Sequence, residues 1–160
     1  MDLSALSFEG VRRARNLHPM FVHFPLALVP TSFFFYVIGY GFRHRGFLFA
    51  ARVLVALAFA ATVIAWLTGF MAEASLGIVQ PQGALLRSHL FYGSLLMAMT
   101  IFLFAWSRAH EEGAPKYRWL FLAALGLAVG LALVTGDLGA QLVYLKGASV
   151  QCPPAGGGPR

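Results

Sequence analysis

The sequence predicts an all-α membrane protein whose four transmembrane helices form an antiparallel up-down-up-down bundle. Composition is the first reason: only 11% of the 160 residues are charged and 59% are hydrophobic, whereas a soluble domain carries about 25% charged residues. The second reason is four apolar runs, each long enough for the roughly 20 residues that cross a bilayer. Runs this long and continuous satisfy their backbone hydrogen bonds in lipid only as helices.

The runs divide the chain into three parts: a basic, interfacial segment 1–19, a transmembrane domain 20–144 and a Pro/Gly-rich tail 145–160. Within the domain the predicted helices are 20–42, 47–71, 89–107 and 119–144. Short first and third connections make neighbouring helices antiparallel. The second helix is rich in alanine, which allows close approach of its neighbours.

The positions of the charged residues indicate what the protein contacts and how it is oriented in the membrane. The net charge is +6, but the basic residues flank apolar runs, which indicates contact with lipid headgroups and not with nucleic acid. Lysine and arginine divide evenly, with six on each side of the membrane. The short first and third connections are densely basic, whereas the second carries only Arg87. This favours termini outside the cytoplasm and short basic loops inside it.

Several chemistries are excluded by residue type. The single cysteine, Cys152, leaves no intramolecular disulfide and no CxxC or CxxCH site for zinc or covalent haem. No hydrolase triad, Walker loop or dinucleotide fingerprint is present. The sequence therefore favours a non-enzymatic or electron-transfer membrane subunit over a classical enzyme.

The predicted topology gathers polar residues at one membrane face. The first and third helices start there, and the second and fourth end there. That face collects three histidines and two carboxylates: His18, His23, Glu73, His89 and Asp137. The opposite face holds His44 and His110 in charged loops, where solvation explains them.

His23 and His89 are the main candidate pair. His23 lies in the apolar part of the first helix and His89 opens the third, and each is followed one turn later by a small residue, Ala27 and Gly93. Two inward imidazoles flanked by small residues suit a haem b held between bundle helices. The alternative is that each histidine caps a helix end by bonding a nearby carbonyl.

His18 and Asp137 complete the candidate site. His18 precedes Pro19 and is either a metal ligand or an interfacial cap. Asp137 in an apolar helix needs a partner, either an imidazole whose tautomer it fixes or an arginine in a structural ion pair. We expect a shared cavity formed by His23, His89 and Asp137 and lined by Ala27, Gly93 and Gly136.

Three segments carry a resemblance to a known family: HPMFVHFPLA at 18–27, the isolated His89-xxx-Gly93, and GDLGAQLVYLKG at 136–147. Together they resemble the bacterial membrane family known as domain of unknown function 2231, over roughly residues 17–150. The resemblance implies four helices and a histidine pattern, without an established activity. Relatives tend to have a histidine where this chain has Lys146, so no ligand role carries over to that position. Some relatives are joined to c-type cytochrome domains, which points towards electron transfer.

Three functions remain open at this point. A haem b on His23 and His89 would exchange electrons between the quinone pool and an external partner such as a cytochrome. Alternatively, His18, His23, His89 and Asp137 bind copper or zinc, which both accept imidazole. The third possibility is a structural subunit of a membrane complex, in contact with lipid and with other subunits or a second copy of this chain.

Overall fold

The computed structural model describes residues 17–76, 83–109 and 117–147, and all regular structure in these ranges is α-helical. The helices are α1 (His18–Phe21), α2 (His23–Gly41), α3 (Arg45–Leu76), α4 (Gly83–Arg108) and α5 (Arg118–Tyr144). Counting α1 and α2 as one span, the described residues contain four helices long and apolar enough to cross a membrane. The predicted fold class is confirmed. Residues 1–16 and 148–160, which hold most of the two predicted terminal segments, lie outside the described residues.

A proline divides the first span. Pro25 has no N–H to donate to the carbonyl of Phe21, four residues earlier, so α1 ends there. The helical path nevertheless continues, because the N–H of Val22 bonds the carbonyl of His18 at 3.2 Å and that of Leu26 bonds Val22 at 3.3 Å. His18 therefore stands on a short helical turn in line with α2.

The helices around the second connection are longer than the sequence predicts. α3 continues to Leu76 instead of residue 71, and α4 begins at Gly83 instead of residue 89. Hydropathy marks only the part of a helix that suits lipid. The added segments, AEASL at 72–76 and GALLRS at 83–88, are rich in residues that favour helix, so the helices extend beyond the apolar runs.

A tight turn joins α2 to α3. Arg43 adopts a left-handed conformation with φ 53°, and the N–H of His44 bonds the carbonyl of Gly39 at 3.0 Å, as in a helix end closed by a left-handed residue. The helices touch at Gly39, where an added Cβ would lie 2.7 Å from Leu48 Cδ2. Glycine is needed there for the close approach.

Each span presents one buried seam to the bundle, with spacing that alternates between three and four residues. Such a 3.5-residue period is the pattern of left-handed helix packing. The buried seam residues are Pro25, Val29, Ser32, Tyr36 and Gly39 on α2; Ala51, Val55, Ala58, Thr62, Ala65 and Ala72 on α3; Leu96, Thr100, Leu103 and Ser107 on α4; Phe121, Leu125, Ala128, Ala132 and Leu142 on α5.

Small and weakly polar residues make up about half of the seams, and many large apolar side chains face outwards. Four alanines spaced by seven residues form the inner edge of α3, as the alanine content of this helix predicts. The buried hydroxyls bond carbonyls of their own helices, for example Ser32 to Val29 and Thr62 to Ala58, both at 2.7 Å. Phe34, Phe49 and Phe70 are exposed. Close packing inside and large apolar groups outside is the arrangement expected in lipid.

Candidate functional site

The buried seams begin with histidine on two helices. On α4 the three-four spacing continues backwards from Leu96 through Gly93 to His89, and on the first span it continues backwards from Pro25 to His18. Both imidazoles are half-buried. Since the two spans run in the same direction, both histidines lie at the same end of the bundle, which we call the histidine end.

His18 rests on the end of α3. Its Nδ1 lies 3.0 Å from the carbonyl oxygen of Ala65 and 3.3 Å from Thr68 Oγ1. One turn beyond Ala65, a Cβ added at Gly69 would lie 2.9 Å from Cε1 of the ring. The ring thus occupies the space that any side chain at position 69 would fill.

His89 rests on the end of α5 in the same manner. Its Nδ1 lies 3.1 Å from the carbonyl oxygen of Thr135, and a Cβ added at Gly139 would lie 3.2 Å from its Cε1. Each histidine thus bonds the carbonyl of one residue and packs on a glycine four positions later. We call this combination the carbonyl–glycine seat.

The seats bring the two rings together. The ring centroids of His18 and His89 are 6.0 Å apart and their planes are inclined by 80°. The two halves of the chain supply equivalent parts, because a histidine at the start of one helix sits on the end of the next in both. The result is a pair of imidazoles held from opposite sides of the bundle.

The hydrogen bonds also settle the tautomer of each ring. A carbonyl oxygen only accepts, so Nδ1 of His18 must donate to Ala65, and Nδ1 of His89 must donate to Thr135. In the neutral ring this leaves the lone pair on Nε2. Histidines that bind metals commonly donate their other N–H to a backbone carbonyl in this way.

The structure gives His18 the place opposite His89 that the sequence analysis assigned to His23. His23 is exposed on the outer surface of the bundle, as is Ala27 one turn later. Five residues turn a helix by about 140° beyond a full turn. His18 and His23 therefore face different directions, and the seam passes through His18.

Asp137 also lies away from the histidine pair. It is exposed, and Gln141 one turn later donates Nε2 to its Oδ2 at 2.6 Å. The predicted bond from Asp137 to an imidazole is replaced by the carbonyl of Thr135, two residues earlier. The helix itself therefore fixes the tautomer of His89.

The other two predicted lining residues allow helix contact. A Cβ at Gly136 would lie 3.0 Å from Leu26 Cδ2, so this glycine lets α2 and α5 approach. Gly93 is on the seam of α4, and a Cβ there would lie 3.7 Å from Thr135 Cγ2, an ordinary contact.

Two observations bear on whether a metal centre fits. The ring centroids lie 6.0 Å apart, which is within the reach of two imidazoles that share one metal through bonds of about 2 Å each. The Oγ1 of Thr135, beside His89, is buried without a hydrogen-bond partner in the described part of the chain, so the site holds a free donor. Among the described residues no group of three or more His, Cys, Asp or Glu forms a metal cluster.

Sequence reasoning missed Ala65, Gly69, Thr135 and Gly139. A signal for them exists, since continuing the three-four spacing along α3 and α5 passes through all four residues. Reading that spacing requires the rotation of the helices, which apolar runs do not reveal.

Comparisons with known proteins agree with this fold. No curated protein and no solved structure matches the chain. The model of one family, described as predicted membrane protein (DUF2231), matches residues 14–152. The match covers all four spans and both histidine seats. The chain thus belongs to the DUF2231 family of predicted membrane proteins.

Proposed function

We propose that this membrane protein binds a b-type haem between His18 and His89 and serves as an electron-transfer subunit. The observation that carries the proposal is the duplicated carbonyl–glycine seat. Both rings are oriented by Nδ1–H bonds to backbone carbonyls, at 3.0 and 3.1 Å, which leaves both Nε2 atoms as available ligands.

A haem suits a site of two imidazoles because the porphyrin supplies the four remaining iron ligands. Bound there, it would supply reversible one-electron chemistry at one end of a helical bundle. The protein's part is to hold two neutral imidazoles and to offer the Thr135 hydroxyl beside them. The quinone pool and an external redox partner are the electron donor and acceptor that we propose.

The test is the absorption spectrum of the full-length protein purified in detergent from haem-replete cells. We expect a Soret band with split α and β bands on reduction. Both His18→Ala and His89→Ala should remove these bands. His23→Ala and His110→Ala are the matched controls and should keep them.

Other outcomes identify the alternatives. Stoichiometric copper or zinc without a Soret band would replace haem by a metal ion on the same pair. Loss of haem in His23→Ala together with retention in His18→Ala would move the ligand to the residue that the sequence analysis favoured. Purified protein with neither haem nor metal would leave the pair with a structural role.

We further propose that the protein lies in the bacterial inner membrane with the histidine end facing the periplasm. The densely basic connections at the opposite end support this orientation. A C-terminal alkaline phosphatase fusion should be active and a fusion within 108–118 inactive. The reverse result would place the histidine end in the cytoplasm.

A further inference from the structure

At the end of the bundle opposite the histidines, the structure holds two tyrosine hydroxyls that are buried without partners. Tyr36 is fully buried on the seam of α2, and Tyr40 stacks on it with ring centroids 5.7 Å apart. Within the described residues neither hydroxyl oxygen has a hydrogen-bond partner. An unpaired buried hydroxyl is costly, so these two donors call for an acceptor other than the described residues.

Two arginines add positive charge to the pair. Arg52, half-buried on α3, interacts electrostatically with Tyr36, and Arg118 at the start of α5 interacts with Tyr40. Guanidinium groups only donate hydrogen bonds. The group as a whole therefore presents donors and positive charge, which suits an anionic acceptor.

The depth of the group matches a lipid phosphate. Tyr36 lies five residues before the end of α2 and Arg52 seven residues after the start of α3, which is about 8–10 Å from the helix ends. At 32 residues, α3 is about 48 Å long and exceeds the roughly 40–45 Å of a bilayer with its headgroups. Both residues therefore lie near the boundary between hydrocarbon and headgroups.

The surrounding face is basic. Arg43, Arg45 and Arg108 are exposed there, and the sequence gives this side of the membrane six Lys and Arg against two carboxylates, Glu111 and Glu112. Such a surface attracts anionic lipids. We propose that Tyr36, Tyr40 and Arg52 form a binding site for a phosphate group, supplied by the headgroup of an anionic phospholipid.

The test is thermal unfolding of the full-length protein in maltoside micelles with and without phosphatidylglycerol. Phosphatidylglycerol at a hundredfold excess over its Kd should raise the melting temperature by about 5–10 °C. Phosphatidylcholine should give a smaller rise. Inorganic phosphate is the third probe: an equal rise with it supports the same phosphate site and identifies free phosphate as the ligand.

The double variant Tyr36→Phe/Tyr40→Phe should affect the melting temperature differently in maltoside alone and in maltoside with phosphatidylglycerol. In maltoside alone it should melt at the same or a higher temperature, because it removes unpaired hydroxyls and keeps both rings. With phosphatidylglycerol it should lose most of the rise. Arg52→Gln should lose the rise too. Arg52→Lys, which keeps the charge, should retain part of the rise and replaces Arg52→Gln as the test if that variant folds poorly.

Tyr92→Phe is the matched control for the tyrosines and should keep the full rise, and Arg43→Gln, which removes one charge of the surrounding surface, should keep most of it. The proposal is overturned if no phosphate-bearing probe stabilises the protein, or if the double phenylalanine variant keeps the full rise. It is also overturned if that variant is destabilised in maltoside alone, since its hydroxyls would then be paired within the protein. A loss in Arg43→Gln equal to that in Arg52→Gln would indicate diffuse surface charge instead of a site.

Discussion

The two ends of the bundle use the same helix packing for different purposes. At the histidine end each polar ring leaves the seam to bond the backbone of a neighbouring helix, and a glycine makes room for it. The opposite end holds Tyr36 and Tyr40, and we call it the tyrosine end. Its polar rings stay within the core, where Tyr36 packs edge-on against Phe121 with ring centroids 4.9 Å apart. The first arrangement fixes the orientation of two imidazole rings, whereas the second fills volume in the core.

This difference predicts that substitutions at the two ends of the bundle have different effects. Tyr36 is fully buried, so truncating its ring removes a large packing contact from the core. His18 and His89 are half-buried and each has a backbone hydrogen bond, which contributes about 1 kcal/mol. We therefore expect the loss of a buried ring at the tyrosine end to lower the free energy of unfolding, and the loss of an imidazole at the histidine end to act mainly on the affinity for the proposed haem.

The largest expected effect is that of Tyr36→Ala. Removing a fully buried aromatic ring should lower the free energy of unfolding by about 3 kcal/mol or more, measured by denaturation in mixed micelles. His18→Ala should cost about 1 kcal/mol. Tyr144→Ala is the control, because Tyr144 is 84% exposed, and should change stability by less than about 0.5 kcal/mol. Equal costs for Tyr36→Ala and His18→Ala would contradict the division between the ends.

Two glycines near the end of α2 test how far the packing at the tyrosine end depends on close approach of the helices. A Cβ at Gly39 would lie 2.7 Å from Leu48 Cδ2 and 3.1 Å from the Leu48 backbone nitrogen, whereas one at Gly41 would have no neighbour within 4 Å. Gly39→Ala should therefore destabilise the protein by about 1–3 kcal/mol. Gly41→Ala should be neutral or slightly stabilising, because alanine favours helix. Similar values for the two variants would show that α2 and α3 do not depend on close approach at Gly39.

The sequence predicts the four spans and their order well, because a charged fraction of 11% and long apolar runs leave few other folds. Helix ends are less predictable, and segments 72–76 and 83–88 show why. They are helical without being strongly apolar, so hydropathy does not register them. Local helix preference extends these helices beyond their apolar runs.

Rotation about the helix axis is the property that the sequence hides most. A soluble helix reveals its inner face by a stripe of apolar residues, but here the exposed face is apolar as well, with Phe24, Phe34 and Phe49 pointing outwards. Choosing between His18 and His23 requires that rotation. The interpretation based on small residues after each histidine selected His23, while the three-four spacing that ends at His18 is visible only once the buried residues are known.

The two carbonyl–glycine seats differ in tightness, which predicts a graded effect on binding. A Cβ at Gly69 would lie 2.9 Å from the His18 ring, and one at Gly139 would lie 3.2 Å from the His89 ring. Gly69→Ala should displace its imidazole and weaken cofactor binding on the order of 10–100-fold, and Gly139→Ala should have a smaller effect. Haem titration of the apoprotein measures both. The free energy of unfolding should change little, since a ring moves more easily than a helix, and a large loss of stability in either variant would contradict this.

The smallest expected effect is that of Asp137→Asn. Asp137 is exposed and bonds Gln141 on its own helix, while the Nδ1–H of His89 is held by the Thr135 carbonyl. An asparagine keeps an oxygen that accepts from Gln141. We therefore expect a change in stability below about 0.5 kcal/mol and unchanged haem affinity and midpoint potential. A marked loss of haem or a shift in potential would instead restore the role that the sequence predicts, with the carboxylate and not the helix backbone setting the basicity of the imidazole.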